Sequence, residues 1–408
     1  MNVGRLAIAG LGLLATPLFT RVLSPKEYGT LALIIVIASA SATVPTQWLT
    51  GALLRYGPST PQRQLHATLW HGLAISLFGV IGFALSGAVA TLHRVDSLVL
   101  LTTAYAASEA AYYTFWILSR AKLRAWSFVM GGVLRNSISV LLVAVRVLVH
   151  GEVSLVWLLA SLVAADLVAI IVMVAQGRTG GGTADRASLK QWWVYGWPLI
   201  PHYAFGVSFS YADRFMLLAL SGPEAVGRFA ATYDLMFSIT SLTVGLIGLT
   251  TVPMIFAARD SVRRSFLLRQ LRRRVMVASL VVPSIIVVAW PILSGVLIGE
   301  ALRVSDWWFT ITLGASFGLL SYRSQYMTIA VQLMEKTKVQ TISTGLGLLT
   351  NIAMNLVMIP AFGITGAAVS TLIGAVVALM AMATLSRWAA SRSGSRDEHA
   401  STIHDNTA

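Results

Sequence analysis

The feature that governs this chain is a succession of apolar runs, most of about twenty residues or more, separated by short polar gaps. A helix needs ~20 apolar residues to cross the ~30 Å hydrocarbon layer of a bilayer. On that scale the runs give twelve spans, at roughly 3–20, 29–52, 67–92, 98–118, 127–149, 153–175, 193–219, 226–250, 275–298, 305–333, 339–359 and 364–386. The first ends in Pro17 and Arg21 without a small-residue cleavage pattern, so it is expected to be a retained span and not a leader. Only 11% of residues are charged and 56% are hydrophobic, whereas a soluble domain carries ~25% charged residues. That balance excludes a soluble enzyme, a disordered chain and a secreted disulfide scaffold. The chain has no cysteine, which removes disulfides, iron–sulfur clusters and thiol nucleophiles. Its seven histidines are scattered without metal-ligand spacing, so neither a metal nor a cofactor is expected.

The net charge of +14 would suggest nucleic acid until the charges are placed. With twelve spans both termini share a side, and 21 of the 30 Lys and Arg fall on that side, against Arg21, Lys26, Arg94 and Arg303 on the other. Such a bias sets cytoplasmic N- and C-termini in the cytoplasmic (inner) membrane. The cluster Arg259–Arg274 then faces anionic lipid headgroups, and no nucleic-acid partner is implied. Nine tryptophans, Trp48, Trp70 and Trp388 among them, fall near span ends, where the indole prefers the membrane interface.

The polar stretch 179–192, with Gly180, Gly181 and Gly182 in a row, reads as a cytoplasmic linker. It separates an N-terminal lobe (1–178, six spans) from a C-terminal lobe (193–386, six spans), and residues 387–408 form a polar tail expected to be disordered. The halves echo one another. RVLSPKEYGTLAL (Arg21 to Leu33) aligns with LALSGPEAVGRFA (Leu218 to Ala230), SEAAYYT (Ser108 to Thr114) with YRSQYMT (Tyr322 to Thr328), and Asn136 with Asn351. The expected architecture is an all-α polytopic membrane protein, with twelve transmembrane helices in two pseudo-symmetric six-helix lobes around a central cavity.

Three segments carry a family likeness: TRVLSPKEYGTLAL after the first span, YGWPLIPHYAFGVSFSYADRF (Tyr195 to Phe215) and NIAMNLVMIPAFGITGAAVSTLIG (Asn351 to Gly374). Together they resemble the polysaccharide biosynthesis and export family of the MATE/MOP superfamily, which includes the Wzx-type O-antigen flippases. The resemblance implies alternating-access translocation of a polyprenyl-diphosphate-linked oligosaccharide from the inner to the outer leaflet, for cell-surface polysaccharide assembly such as O-antigen or exopolysaccharide. It also implies membrane lipids, a polysaccharide polymerase and glycosyltransferases as partners. A drug/cation antiporter of the same superfamily is the alternative. A membrane glycosyltransferase or polymerase would need a sizeable outer loop, and every outer gap here is about ten residues or fewer. No nucleotide-binding Gly-Lys-Ser/Thr sequence is present.

Ionisable groups at membrane depth are costly and mark candidate functional sites. A diphosphate cargo calls for arginine, whose planar fork donates two hydrogen bonds to phosphate. The deepest arginines, Arg135, Arg214 and Arg323, are therefore the candidate substrate contacts, with Asn351, Asn355 and Tyr112 as hydroxyl or ring partners. The competing expectation for each arginine is a carboxylate partner that serves packing, and for the asparagines a hydrogen bond between helices. Glu109, Asp166, Asp213 and Asp234 are the candidates for ion coupling or gating. Glu109 and Arg323 fall at equivalent positions of the two halves and suggest a charge latch. Tyr105, Glu109, Tyr112, Tyr113 and Trp116 share roughly one helical face, suited either to stacking sugar rings or to aromatic packing.

Overall fold

The structure, a computed structural model, describes residues 2–92, 96–176, 186–258, 260–334 and 336–405. Among the described residues all regular structure is helical: α1 (Asn2–Val22), α2 (Pro25–Thr43), α3 (Gln47–Tyr56), α4 (Gln62–Leu92), α5 (Ser97–Ala121), α6 (Ala125–His150), α7 (Leu155–Ala175), α8 (Arg186–Gly196), α9 (Leu199–Ser221), α10 (Pro223–Ala257), α11 (Ser261–Leu297), α12 (Trp307–Tyr322), α13 (Thr328–Leu333) and α14 (Thr337–Asp405). Six of these helices are long and apolar enough to cross a membrane, or seven if α2 and α3, bent by 50° at a short break, count as one span. Two that fall outside that set, α5 and α9, hold Glu109 and the Asp213–Arg214 pair. The same ionisable residues that single these helices out also lower their hydropathy.

Several expected spans are broken helices. The run 29–52 turns at residues 44–46, 193–219 is divided between α8 and α9, and 305–333 passes through a π-helical segment, Arg323–Met327. The last two runs are recorded as one helix, α14, with a kink at Gly363, whose φ of 56° and ψ of −131° are non-helical. A left-handed φ costs glycine little, so the chain turns there after Pro360 as the sequence anticipates. α14 then continues to Asp405, through most of the tail expected to be disordered. No proline interrupts it beyond Pro360, so the backbone ladder can propagate. Of the expected linker, residues 179–185, including the glycine triplet, lie outside the described residues, and 186–192 belong to α8.

The chain divides into two compact units. The first comprises Met1–Val207, Pro223–Ala231 and Val296–Arg303; the second comprises Ser208–Gly222, Thr232–Gly295 and Val304–Ala408. In the first, α5 packs against α2, α4 and α7, α6 against α1 and α7, and α3 against α8. Trp48, Leu49 and Leu53 of α3, Leu65 and Leu69 of α4, Phe115 of α5 and Trp192 of α8 form a buried cluster. In the second, α12 packs on α14, and Val244, Ile255, Leu271 and Val275 join α10 to α11.

The repeated motif has a physical reason. In RVLSPKEYG the Ser24 hydroxyl accepts from the Glu27 amide and the Glu27 carboxylate accepts from the Ser24 amide (2.9 Å), a capping box with Pro25 at the first helical position of α2. The second copy starts α10 with Pro223 and Glu224. Gly29 and Gly227, each four residues after its proline, make reciprocal contacts within the first unit. A Cβ on Gly29 would stand 1.9 Å from the Pro223 carbonyl oxygen, and one on Gly227 would stand 2.1 Å from that of Pro25. The same motif is tied down by Arg21, which donates to Val296 O (2.5 Å), and by the Gly299 amide, which donates to Thr20 Oγ1 (3.1 Å). Overpacking such a contact costs ~1–3 kcal/mol. Gly29→Ala and Gly227→Ala should therefore each lower the unfolding midpoint in detergent clearly, while Gly82→Ala, where an added methyl meets nothing within 4 Å, should not; equal behaviour of all three would contradict the crossing.

Candidate functional site

The buried charges gather in two separate places. In the first unit, helical spacing puts Tyr105, Ser108, Glu109 and Tyr112 on one face of α5, and that face meets Arg135 from α6 and Asp166 from α7. Arg135 Nε donates to Asp166 Oδ1 at 2.5 Å, and its Nη2 donates to the Tyr105 hydroxyl at 3.2 Å. Glu109 stands farther off, 3.6 Å from Nη2, and both its oxygens lie 3.1 Å from the Ser39 hydroxyl of α2. The guanidinium lies over the Tyr112 ring, 4.6 Å from its centroid, and Ser108 donates to Asp166 Oδ2 at 2.9 Å. Asp166 is fully buried, while Glu109 and Arg135 are 14% and 23% exposed. One cation therefore serves two carboxylates. With both ionised the cluster carries one net negative charge, and a single proton or monovalent cation neutralises it.

The second unit holds Asp213, Arg214, Asp234, Arg323, Asn351 and Asn355. Consecutive residues of α9 point about 100° apart, and Asp213 and Arg214 indeed face different helices. Asp213 is turned to α14: its Oδ1 accepts from Asn351 Nδ2 (2.8 Å) and Asn355 Nδ2 (2.6 Å), and its Oδ2 is 2.7 Å from the Thr371 hydroxyl. All of these groups are buried, and Asn355 Oδ1 has no hydrogen-bond partner among the described residues. Arg214 is turned to α10, where it pairs with Asp234 and lies near the rings of Tyr211 and Tyr233. Arg214 is 2% exposed and Asp234 41%.

Arg323 differs from both. It opens the π-helical segment, a geometry that concentrates at functional sites. Its Nη1 donates to Thr344 Oγ1 on α14 at 3.0 Å, its Nε is buried without a partner, and no carboxylate pairs with it among the described residues. Of the three arginines expected to meet cargo, the structure thus gives Arg135 and Arg214 carboxylate partners, the packing alternative, and leaves Arg323 without one. Asn351 and Asn355 share a helix face as their spacing requires, but both side chains are turned onto Asp213. Tyr112 lies against Arg135, whereas Trp116 stacks on Phe128 (4.3 Å between centroids) and donates to its carbonyl, which is aromatic packing. Glu109 and Arg323 each have a partner within their own unit. Ser39, Ser108, Thr344 and Thr371 complete these networks. Hydroxyl residues are too common in apolar helices for the sequence to single them out.

With this arrangement in view, the chain matches the polysaccharide biosynthesis protein family over residues 2–258. The chain belongs to that family. No curated protein sequence matches it significantly. Among solved structures it is similar to a lipid II flippase, MurJ, in an inward closed conformation (TM-score 0.70, 10% identity, 94% of this chain and 87% of that one). It is also similar to a multidrug resistance MATE family transporter of the MOP superfamily in an inward-facing conformation (TM-score 0.68, 14% identity, 97% and 99%) and to a Vibrio cholerae MATE transporter, VcmN (TM-score 0.60, 16% identity, 96% and 94%). The fold is therefore the one shared by these MATE and MurJ structures, and with six helices long and apolar enough to cross a membrane the chain is a multi-pass membrane protein of the polysaccharide biosynthesis family.

Removing a buried partner costs most where the remaining charge is left unmatched, ~3–5 kcal/mol. Asp166→Asn removes the fully buried carboxylate that hydrogen-bonds directly to Arg135 and is expected to lower the unfolding midpoint in detergent sharply. Glu109→Gln should be tolerated, because Glu109 stands 3.6 Å off and is partly exposed, and Asp166 still holds the guanidinium. Comparable losses for the two variants would contradict this ranking of the two carboxylates.

Proposed function

We propose that this protein is a flippase that carries a polyprenyl-diphosphate-linked oligosaccharide repeat unit from the inner to the outer leaflet of the cytoplasmic membrane by alternating access, in the assembly of a cell-surface polysaccharide. The proposed architecture has twelve transmembrane helices in two pseudo-symmetric lobes, 1–178 and 193–386, around a central cavity, with both termini cytoplasmic. The family and the likeness to a lipid II flippase support a lipid-linked glycan as cargo. The single observation that carries the assignment is Arg323, a deep guanidinium without a carboxylate partner among the described residues, with a buried Nε still to be satisfied. A diphosphate supplies the missing acceptors.

Arg135 and Arg214 are proposed as secondary cargo contacts, reached only when Asp166 and Asp234 release them, with Tyr112, Asn351 and Asn355 beside them. Glu109, Asp166 and Asp213 are proposed as the groups through which a proton or monovalent cation couples to transport, with Asp234 as a gate on Arg214. Membrane potential adds to the drive, since outward movement of an anion gains ~2.3 kcal/mol per charge per 100 mV. A polymerase and glycosyltransferases would act on either side of the step.

The surplus of carboxylate in the first unit favours a second function, a cation-coupled antiporter of small cationic compounds. The two separate in one experiment. Deleting the gene should cause lipid-linked repeat units to accumulate on the inner leaflet. Wild-type protein and Glu109→Asp should relieve the accumulation, and Arg323→Gln should lose about tenfold or more in rate, as expected when a charged group is left without its partner. Efflux of a cationic dye with no accumulation of lipid-linked glycan would instead establish the antiporter.

A further inference from the structure

Outside the charge clusters, the second unit holds a groove of about 780 Å³ between α11 and α12. Its walls are apolar: Val277, Leu280 and Val288 on α11, Ile311, Leu319 and Tyr322 on α12. The helices approach closely at two glycines of α12, Gly314 against Val287 and Gly318 against Ser279. Pro283 cannot donate to the Ser279 carbonyl one turn back, and that freed oxygen stands 2.4 Å from where a Cβ of Gly318 would be. Beside this backbone contact the long side chains stand apart, and Leu280 and Val288 are 71% and 76% exposed. Of the two serines that line the groove, Ser284 turns its hydroxyl onto Leu280 O (2.8 Å), which leaves little polarity in the walls.

The end of the groove that the charge bias places at the cytoplasmic surface is cationic. Arg272 and Arg273 lie one turn before Met276 and Val277 on the same stripe of α11, and Arg269 lies one turn before them. All three are exposed and none forms an ion pair among the described residues. Arg272 lies within electrostatic range of Tyr326, whose ring is 5.4 Å from that of the groove residue Tyr322. The molecule that fits has one apolar chain and a multiply charged anionic head. An ordinary inner-leaflet phospholipid brings two chains and a single phosphate, which matches neither the single groove nor the number of arginines.

We propose that the α11–α12 groove seats the isoprenoid chain of a polyprenyl diphosphate, with the diphosphate held by Arg272 and Arg273. This site rests on the lipid-linked cargo proposed above and lies apart from Arg323. It would collect the cargo by its tail at the cytoplasmic leaflet before the head enters the protein.

The absence of native cysteine makes the test direct. Leu280→Cys places one thiol in the groove, and Leu349→Cys, exposed on α14 outside it, serves as the reference. The full-length proteins in phosphatidylcholine nanodiscs are alkylated with an apolar maleimide, with and without farnesyl diphosphate. The ligand should slow labelling at Leu280→Cys about tenfold and leave Leu349→Cys unchanged, and protection should fall about tenfold in affinity when Arg272→Gln and Arg273→Gln are added. No protection, or equal protection by farnesol or phosphatidylglycerol, would overturn the site. Transport of the lipid-linked repeat unit by the same proteins separates the two assignments. Intact transport without protection removes the groove and leaves the flippase, whereas protection in a protein that moves no lipid-linked glycan keeps the groove as an isoprenoid diphosphate site and removes the flippase.

Discussion

In hydrocarbon a charge must be matched by the protein itself, because no water is present to solvate it. That constraint arranges the interior of both units. Asp166 holds Arg135 through a direct hydrogen bond, with Ser108 and Tyr105 satisfying what remains. Among the described residues no cation is hydrogen-bonded to Asp213; three neutral donors from α14 surround it instead. Exposure differs as well: Asp234 is partly exposed, whereas Asp166 and Asp213 are buried.

The echo expected between the halves has a parallel in these networks. Asn136 on α6 donates to the Ile8 carbonyl of α1 (2.8 Å), and Asn351 on α14 donates to Asp213 of α9. In each half an asparagine from the fifth expected span thus ties down the first. The copies diverge where chemistry is expected to differ. Ser108 to Thr114 is regular α-helix, but its counterpart Tyr322 to Thr328 contains the π-helical segment that begins at Arg323. An extra residue in a helical turn rotates everything after it, so matching sequence positions present their side chains in different directions.

Much of this was legible in the sequence because membrane helices are dictated by hydropathy and by breakers. Pro360 with Gly363 marks the turn within α14, and the Leu-Ser-Pro-acid motifs mark the starts of α2 and α10. The site was legible as a set of residues, since any ionisable group in an apolar run stands out, but not as a set of pairs. Nothing in the spacing tells Arg135 to meet Asp166, 31 residues away, or Thr371 to meet Asp213, 158 residues away. Those contacts depend on which helices become neighbours. The bend between α2 and α3 was hidden for the opposite reason: the run 29–52 stays apolar through it, and hydropathy does not register Pro45 as a corner.

A fully matched charge holds a structure together but cannot report on a ligand, because any new partner must first displace an equally good one. Function therefore belongs to the mismatches. The first unit has one carboxylate too many around Arg135, so its charge state changes with the uptake of a single proton or cation. The second has an arginine at position 323 with a buried donor unsatisfied and no carboxylate paired with it among the described residues. On the proposed function, a negative surplus in one place and an unanswered positive group in another suit the coupling of an ion to the movement of an anionic cargo. On the same proposal, the pairs around Arg135 and Arg214 would set how much binding energy a cargo must bring to enter, since a diphosphate would have to compete with Asp166 or Asp234 for each guanidinium, whereas Arg323 has no carboxylate partner among the described residues.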